Sequence, residues 1–159
     1  MIRALLLALL LIGCNAPGRT VAVKDAALDE PTMTAIAAWN ARLAHECPDH
    51  MISYVTDVDE ADVTVEIGER PAYKGDLATT RRPAITFGRE VVARVAVDPD
   101  AMRDLPAFLP EVIGHELGHA MGLKHSDDLA DLMYPGLLPD GSLRGPDPTD
   151  ADVRRACEM

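Results

Sequence analysis

The run His115-Glu116-Leu117-Gly118-His119-Ala120-Met121-Gly122-Leu123-Lys124-His125 constrains this chain more than any other part of its sequence. His115 and His119 are four residues apart, so on a helix they project from one face and can grip a single ion. Glu116 lies about 100° around such a helix from His115, beside the ion rather than on it, where it suits a water molecule. Gly122 can take the left-handed conformation that ends a helix sharply; the chain then turns back and His125 brings in a third nitrogen. Three neutral imidazoles form a catalytic zinc set with a fourth position left for water, whereas structural zinc sites fill all four. A bare H-E-x-x-H recurs in proteins without this chemistry. The added glycine and third histidine make the pattern specific. His45 and His50 stand outside the constellation and read as surface residues.

The rest of the chain supplies elements to carry such a helix. Thr20 to Val23 reads as a short strand. Pro31 opens a helical pattern in which Ile36, Leu43 and Cys47 share a face, flanked by Met33 and by Trp39 as core packing. Ile52 to Val55 is extended, and Val63, Val65 and Ile67 alternate with polar residues as in a half-buried strand. Gly75 to Pro83 is loop-like or an irregular edge. Ile85-Thr86-Phe87 and Val91 to Val97 are extended, before a turn at Asp98-Pro99-Asp100. The motif helix starts near Pro106 to Pro110 and runs to Gly122. Thr149, with Asp152 three residues on, predicts a capping box for a last helix ending near Cys157. This order is an α+β pattern.

With 15 Lys and Arg against 26 Asp and Glu, the formal charge of −11 argues against nucleic acid, whose phosphates need clustered cations. The N-terminus is organised differently from the body. Arg3 precedes an unbroken apolar run from Ala4 to Ile12. As a helix that run spans roughly 13–14 Å, less than half of a ~30 Å hydrocarbon core, so it reads as a secretory signal rather than a membrane span. Leu11-Ile12-Gly13-Cys14 resembles the lipobox of bacterial lipoproteins, in which the cysteine is lipidated and becomes the first mature residue. The other reading is an ordinary signal peptide that contains a cysteine. The expected organisation is a signal peptide at 1–13, lipidated Cys14 with a flexible tether at 14–19, and one domain at 20–159. Cys47 and Cys157 then remain as an exported pair, either bridged or two buried thiols.

His115 to His125 is the H-E-x-x-H-x-x-G-x-x-H signature that resembles the metzincin zinc peptidases. Leu132-Met133-Tyr134-Pro135 resembles the Met-turn beneath their zinc, and with Ser126 it is similar to the matrixin branch in particular. The stretch around Ile36 to Asn40, the segment Ala61 to Val65 and the final helix also have matrixin counterparts. The resemblance implies a zincin-like α+β catalytic domain: a twisted mixed β-sheet, an active-site helix, a Met-turn and a C-terminal helix. It implies a zinc-dependent metalloendopeptidase, with His115, His119 and His125 holding one catalytic zinc and Glu116 as general base toward the attacking water. Met133 would floor the site, and Tyr134 would shape the turn and adjoining pocket, with Leu129 to Leu137 lining it. Leu77 and Ala78, in the stretch that resembles the substrate-aligning edge strand, would bind peptide. Some metzincins tie the last helix to the first-helix region, which favours a Cys47–Cys157 disulfide.

The departures from the family pattern also carry expectations. Thr79 and Ala96 stand where animal matrixins place structural-zinc histidines, so no second zinc is expected. No inhibitory cysteine-bearing propeptide is expected either. Acidic residues around Asp98 and Asp100 offer calcium ligands or a solvated turn. Asp127, Asp128 and Asp131 read as a preference for basic substrates or as a solvated loop. The partners implied are a peptide or protein substrate and a membrane reached through Cys14, on the periplasmic or cell-surface side of an outer membrane; a monomer is expected. Two other functions fit the same scaffold: a catalytically silent binding protein, and a zinc hydrolase of cell-wall amides.

Overall fold

A computed structural model describes residues 18–68, 77–81, 93–136, 138–139, 141–142 and 144–159. The leader, Cys14, Gly75, Pro83, the segment Ile85 to Phe87, Val91 and Leu137 lie outside the described residues. Among the described residues five strands form one sheet: β1 (Thr20–Val23), β2 (Ser53–Tyr54), β3 (Val63–Ile67), β4 (Ala78–Arg81) and β5 (Ala93–Val97), in the order β2-β1-β3-β5-β4. All neighbours pair in parallel except β4, which runs antiparallel to β5 at the edge. Within the segment read as loop or irregular edge, Ala78–Arg81 form a regular strand, with Ala78 opposite Val97 and Thr79 opposite Ala96.

The alternating pattern in β3 does not mark a half-buried strand. Val63, Thr64 and Val65 are all buried, while Ile67 is exposed. β3 lies inside a mainly parallel sheet, between β1 and β5, and an inner parallel strand is buried on both faces. Asp98-Pro99-Asp100 also differs from expectation. It opens the short helix α2 (Pro99–Asp104) rather than making a turn. The Asp98 carboxylate accepts the Asp100 N–H at 2.6 Å, and the Met102 N–H reaches the Asp98 carbonyl at 3.0 Å. Proline needs no partner for its missing N–H in a first turn, so this sequence starts a helix as readily as it turns.

Two long helices meet over the core. α1 (Asp29–Glu46) carries Asp29 and Glu30 in its first turn, where the positive end of the helix dipole favours them. Its buried residues are Thr32, Ala35, Ile36, Trp39 and Leu43. Met33 is 47% exposed and does not share that face; at 100° per residue it falls about 100° from the centre of the buried stripe. Trp39 is fully buried and its indole N–H donates to the Gly114 carbonyl at 2.9 Å, which fixes α1 against α3 (Leu109–Ala120). The last helix, α4 (Asp150–Cys157), starts with the expected reciprocal cap between Thr149 and Asp152. Cys47, just past α1, and Cys157, at the end of α4, form a disulfide with their Cα atoms 5.8 Å apart. Among the described residues, no helix is long and apolar enough to cross a membrane.

Candidate metal centre

α3 buries Leu109, Ile113, Leu117 and Ala120 and turns His115 and His119 to the other side, half-buried. Gly122 has φ +107°, and the Gly122 and Leu123 N–H groups reach the His119 and Gly118 carbonyls, both at 3.0 Å. This is a Schellman ending, which satisfies the last carbonyls of the helix and reverses the chain. The turn has a second use. The Leu123 carbonyl lies 2.8 Å from His119 Nδ1, and the Leu132 carbonyl lies 2.7 Å from His115 Nδ1. A carbonyl only accepts, so both Nδ1 atoms carry the proton and both Nε2 atoms present lone pairs.

Those lone pairs converge. His119 Nε2 and His125 Nε2 are 3.1 Å apart, and one nitrogen from each of His115, His119 and His125 falls within 4.8 Å of the others. Among the described residues this is the group able to hold a metal. Converging lone pairs repel each other unless a cation sits between them, so the donor set fits zinc on its own chemistry. Burial lowers the pKa of His115 from 6.5 to about 4; the Leu132 carbonyl opposes that shift, and the neighbouring His119, His125 and Arg144 charges add to it. His115 is thus held neutral, as a ligand must be. His45 is exposed and His50 half-buried, and neither belongs to the group.

Glu116 is buried beside the histidines, and the Thr80 hydroxyl donates to its Oε2 at 2.5 Å. Thr80 lies on β4, so the edge strand and the carboxylate are held together. Below the helix Met133 is fully buried. A Cβ on Gly118 would fall 2.3 Å from Met133 Sδ and 3.4 Å from Trp39 Cζ2, so only glycine lets α3 settle so closely on the Met133 turn. The turn is tied down from both sides. Ser126 N–H donates to the Met133 carbonyl at 2.9 Å, and the fully buried Asp152 accepts the Leu132 N–H at 2.8 Å.

Asp131 is not part of a solvated acidic loop. It is 3% exposed and accepts from Ser126 Oγ, Thr149 Oγ1 and Arg155. Burial alone would raise its pKa, but these hydrogen bonds and the Arg155 charge outweigh burial and hold it below the usual carboxylate range. Asp127 and Asp128 are exposed. Asp100 pairs with Arg103 at 3.1 Å, while Asp98 caps α2.

A cavity of about 550 Å³ opens beside the histidines. Leu77, Ala78, Leu132, Tyr134 and Pro135 line it, as do Glu111 and Arg144, which form an ion pair with Nη1 and Oε1 3.1 Å apart. The sequence reading gives Leu77 and Ala78 to peptide binding and the residues around Tyr134 to a pocket. It missed Thr80, Gly118, Glu111 and Arg144, and it saw Asp152 only as a cap. A glycine inside a helix, where it costs about 1 kcal/mol, was the available signal for Gly118; the other three carry no local signal.

The matrixin family model matches residues 20–153 of this chain. A 72-residue stretch is 35% identical to the interstitial collagenase of Oryctolagus cuniculus, covering 45% of this chain and 15% of that protein. The match therefore spans less than a sixth of that relative's length.

Proposed function

Since the chain belongs to the matrixin family and carries a zinc metallopeptidase-like domain, we propose that it is a metalloendopeptidase whose centre is His115, His119, His125 and Glu116. The observation that carries this reading is the convergence of one nitrogen from each of three imidazoles next to a buried carboxylate. When bound, zinc supplies a Lewis acid that polarises the scissile carbonyl and acidifies the attacking water. Glu116, steadied by the Thr80 hydroxyl, accepts the proton of that water and passes it to the departing amine. The Leu123 and Leu132 carbonyls keep His119 and His115 in the tautomer that presents Nε2. Among the described residues β4 pairs with β5 along one side, and its other side gives an extended peptide a strand to align against beside Leu77 and Ala78.

Glu116→Gln keeps the size of the side chain and removes the base. The variant is expected to retain one zinc per chain and to lose peptide hydrolysis by a factor of about 10² or more. Zinc analysis beside a quenched-peptide assay measures both. A variant as active as the parent refutes the role given to Glu116.

The same proposal includes export, with residues 1–13 removed and Cys14 lipidated. The Cys47–Cys157 disulfide supports it, because disulfides persist in oxidising compartments. Labelling cells with a radioactive fatty acid tests the anchor: the label should appear on the parent and be absent from Cys14→Ser.

A further inference from the structure

We infer that Glu111 and Arg144 determine which substrate side chain enters the cavity beside the metal centre: as a closed pair they admit an uncharged side chain and turn away a charged one. The inference rests on the hydrolytic reading above and specifies its substrate.

Glu111 stands on α3 one turn before His115, about 6 Å along the axis, and lines the same cavity as His115 and Glu116. Its side chain is 8% exposed and that of Arg144 7%, so this is no surface ion pair. Each partner is also held from elsewhere. Glu111 Oε2 accepts the Gly145 N–H at 3.0 Å. Arg144 donates through Nε to the Leu129 carbonyl at 2.8 Å and through Nη2 to the Gly136 carbonyl at 2.5 Å. Its guanidinium lies 4.9 Å from the centroid of the Tyr134 ring. The pair's position is therefore fixed by the helix on one side and by the segment after the Met133 turn on the other.

Hydrolysis as described uses neither residue, yet both face the space beside the reacting groups. Elsewhere the cavity wall is largely apolar, with Val112, Leu132 and Pro135. An incoming carboxylate would shed its water and find Arg144 engaged with Glu111. An incoming ammonium would find Glu111 engaged with Arg144. Neither recovers its lost hydration without stranding a buried charge. An uncharged side chain meets the apolar wall and disturbs nothing. Removing one partner's charge turns this neutral wall into a site for the opposite charge.

The test uses the zinc-loaded enzyme and peptides that differ at one residue, with Leu, Gln, Glu or Lys placed in turn at each position flanking the cleaved bond. At one position the parent should prefer Leu and Gln over Glu and Lys by about tenfold or more in kcat/KM. Glu111→Gln preserves shape and leaves the Arg144 charge uncompensated, so the Glu-to-Leu ratio should rise about tenfold while the Lys-to-Leu ratio does not. Arg144→Gln should do the reverse. Ratios within one enzyme cancel any change in metal content or overall rate. A parent that takes Glu or Lys as readily as Leu at every position overturns the inference. So does a folded variant that keeps the parental ratios, because a pair that only braces the loop leaves specificity unmoved. A parent that cleaves none of the peptides removes the hydrolytic reading and this inference with it, whereas cleavage without charge preference removes this inference alone.

Discussion

Asp152→Asn probes how the C-terminal helix supports the metal centre. Asp152 is fully buried; its Oδ2 accepts from Leu132 N at 2.8 Å and Thr149 N at 3.0 Å, and its Oδ1 accepts from Arg155 Nη2 at 2.5 Å. Asparagine in the same rotamer keeps a carbonyl toward the two backbone donors and turns an amide N–H toward Arg155. Two charge-assisted bonds become neutral ones, at about 0.5–1 kcal/mol each, and the Arg155 bond is lost, at about 1–2 kcal/mol. The Arg155 side chain is 38% exposed and still reaches Asp131 at 3.1 Å, so its charge is not stranded. The net cost is then about 3 kcal/mol, below what a fully stranded buried ion brings. Urea unfolding of the metal-free protein measures it.

The same substitution reaches the site through one peptide group. The Leu132 carbonyl holds His115 Nδ1 at 2.7 Å, and the N–H of that residue is the one Asp152 anchors. Zinc affinity, read by competition with a chromophoric chelator, should fall about tenfold, the lower end for groups that orient a ligand. A stability change under about 0.5 kcal/mol, the usual span of surface substitutions, refutes the anchoring role. A full stability loss with unchanged zinc affinity breaks the proposed link to His115.

Two further outcomes follow from the geometry. The Cys47–Cys157 bridge closes a loop of 110 residues, for which chain entropy gives about 4–5 kcal/mol, so urea midpoints with and without reductant should differ by a corresponding margin; coincident midpoints contradict it. His115 has its pKa lowered to about 4 on folding, so the metal-free protein keeps its full stability above about 6.5, where both states are neutral. As pH falls from about 6.5 to about 4 the unfolded chain takes up a proton that folded His115 refuses, and about 3 kcal/mol is lost across that window. Metal-free stability that stays flat across that window rules out a neutral, buried His115.

What the sequence disclosed was what short-range geometry encodes. The two histidines four residues apart, the glycine at the helix end and the Thr149–Asp152 cap each depend on neighbours within one or two turns, and each forms as read. The exposure of Met33 and the burial of Thr64 depend on what packs against α1 and β3, and no window of a few residues contains that. Asp131 shows the limit most directly. It has the composition of a solvated loop, but Thr149 and Arg155 come from another element to enclose it. Glu111 and Arg144 are 33 residues apart and meet only because the chain folds back over α3. The backbone carbonyls of Leu123 and Leu132 are invisible to any reading of side-chain type.

The disulfide has a consequence for what a single proteolytic cut does to this chain. Cys47 and Cys157 make a covalent ring that contains β2 to β5, α2, α3 and all of α4. A single cut anywhere within that ring opens it without separating the pieces, since both remain joined through sulfur. Strand pairing between β3 and β5 and the contact of α1 with α3 then hold the fragments in register. A nicked molecule remains one molecule, and a cut between Cys47 and His115 leaves its three histidines on one piece and β1 and α1 on the other. Persistence after damage is thus built into the connectivity, apart from whatever the bond adds to folding.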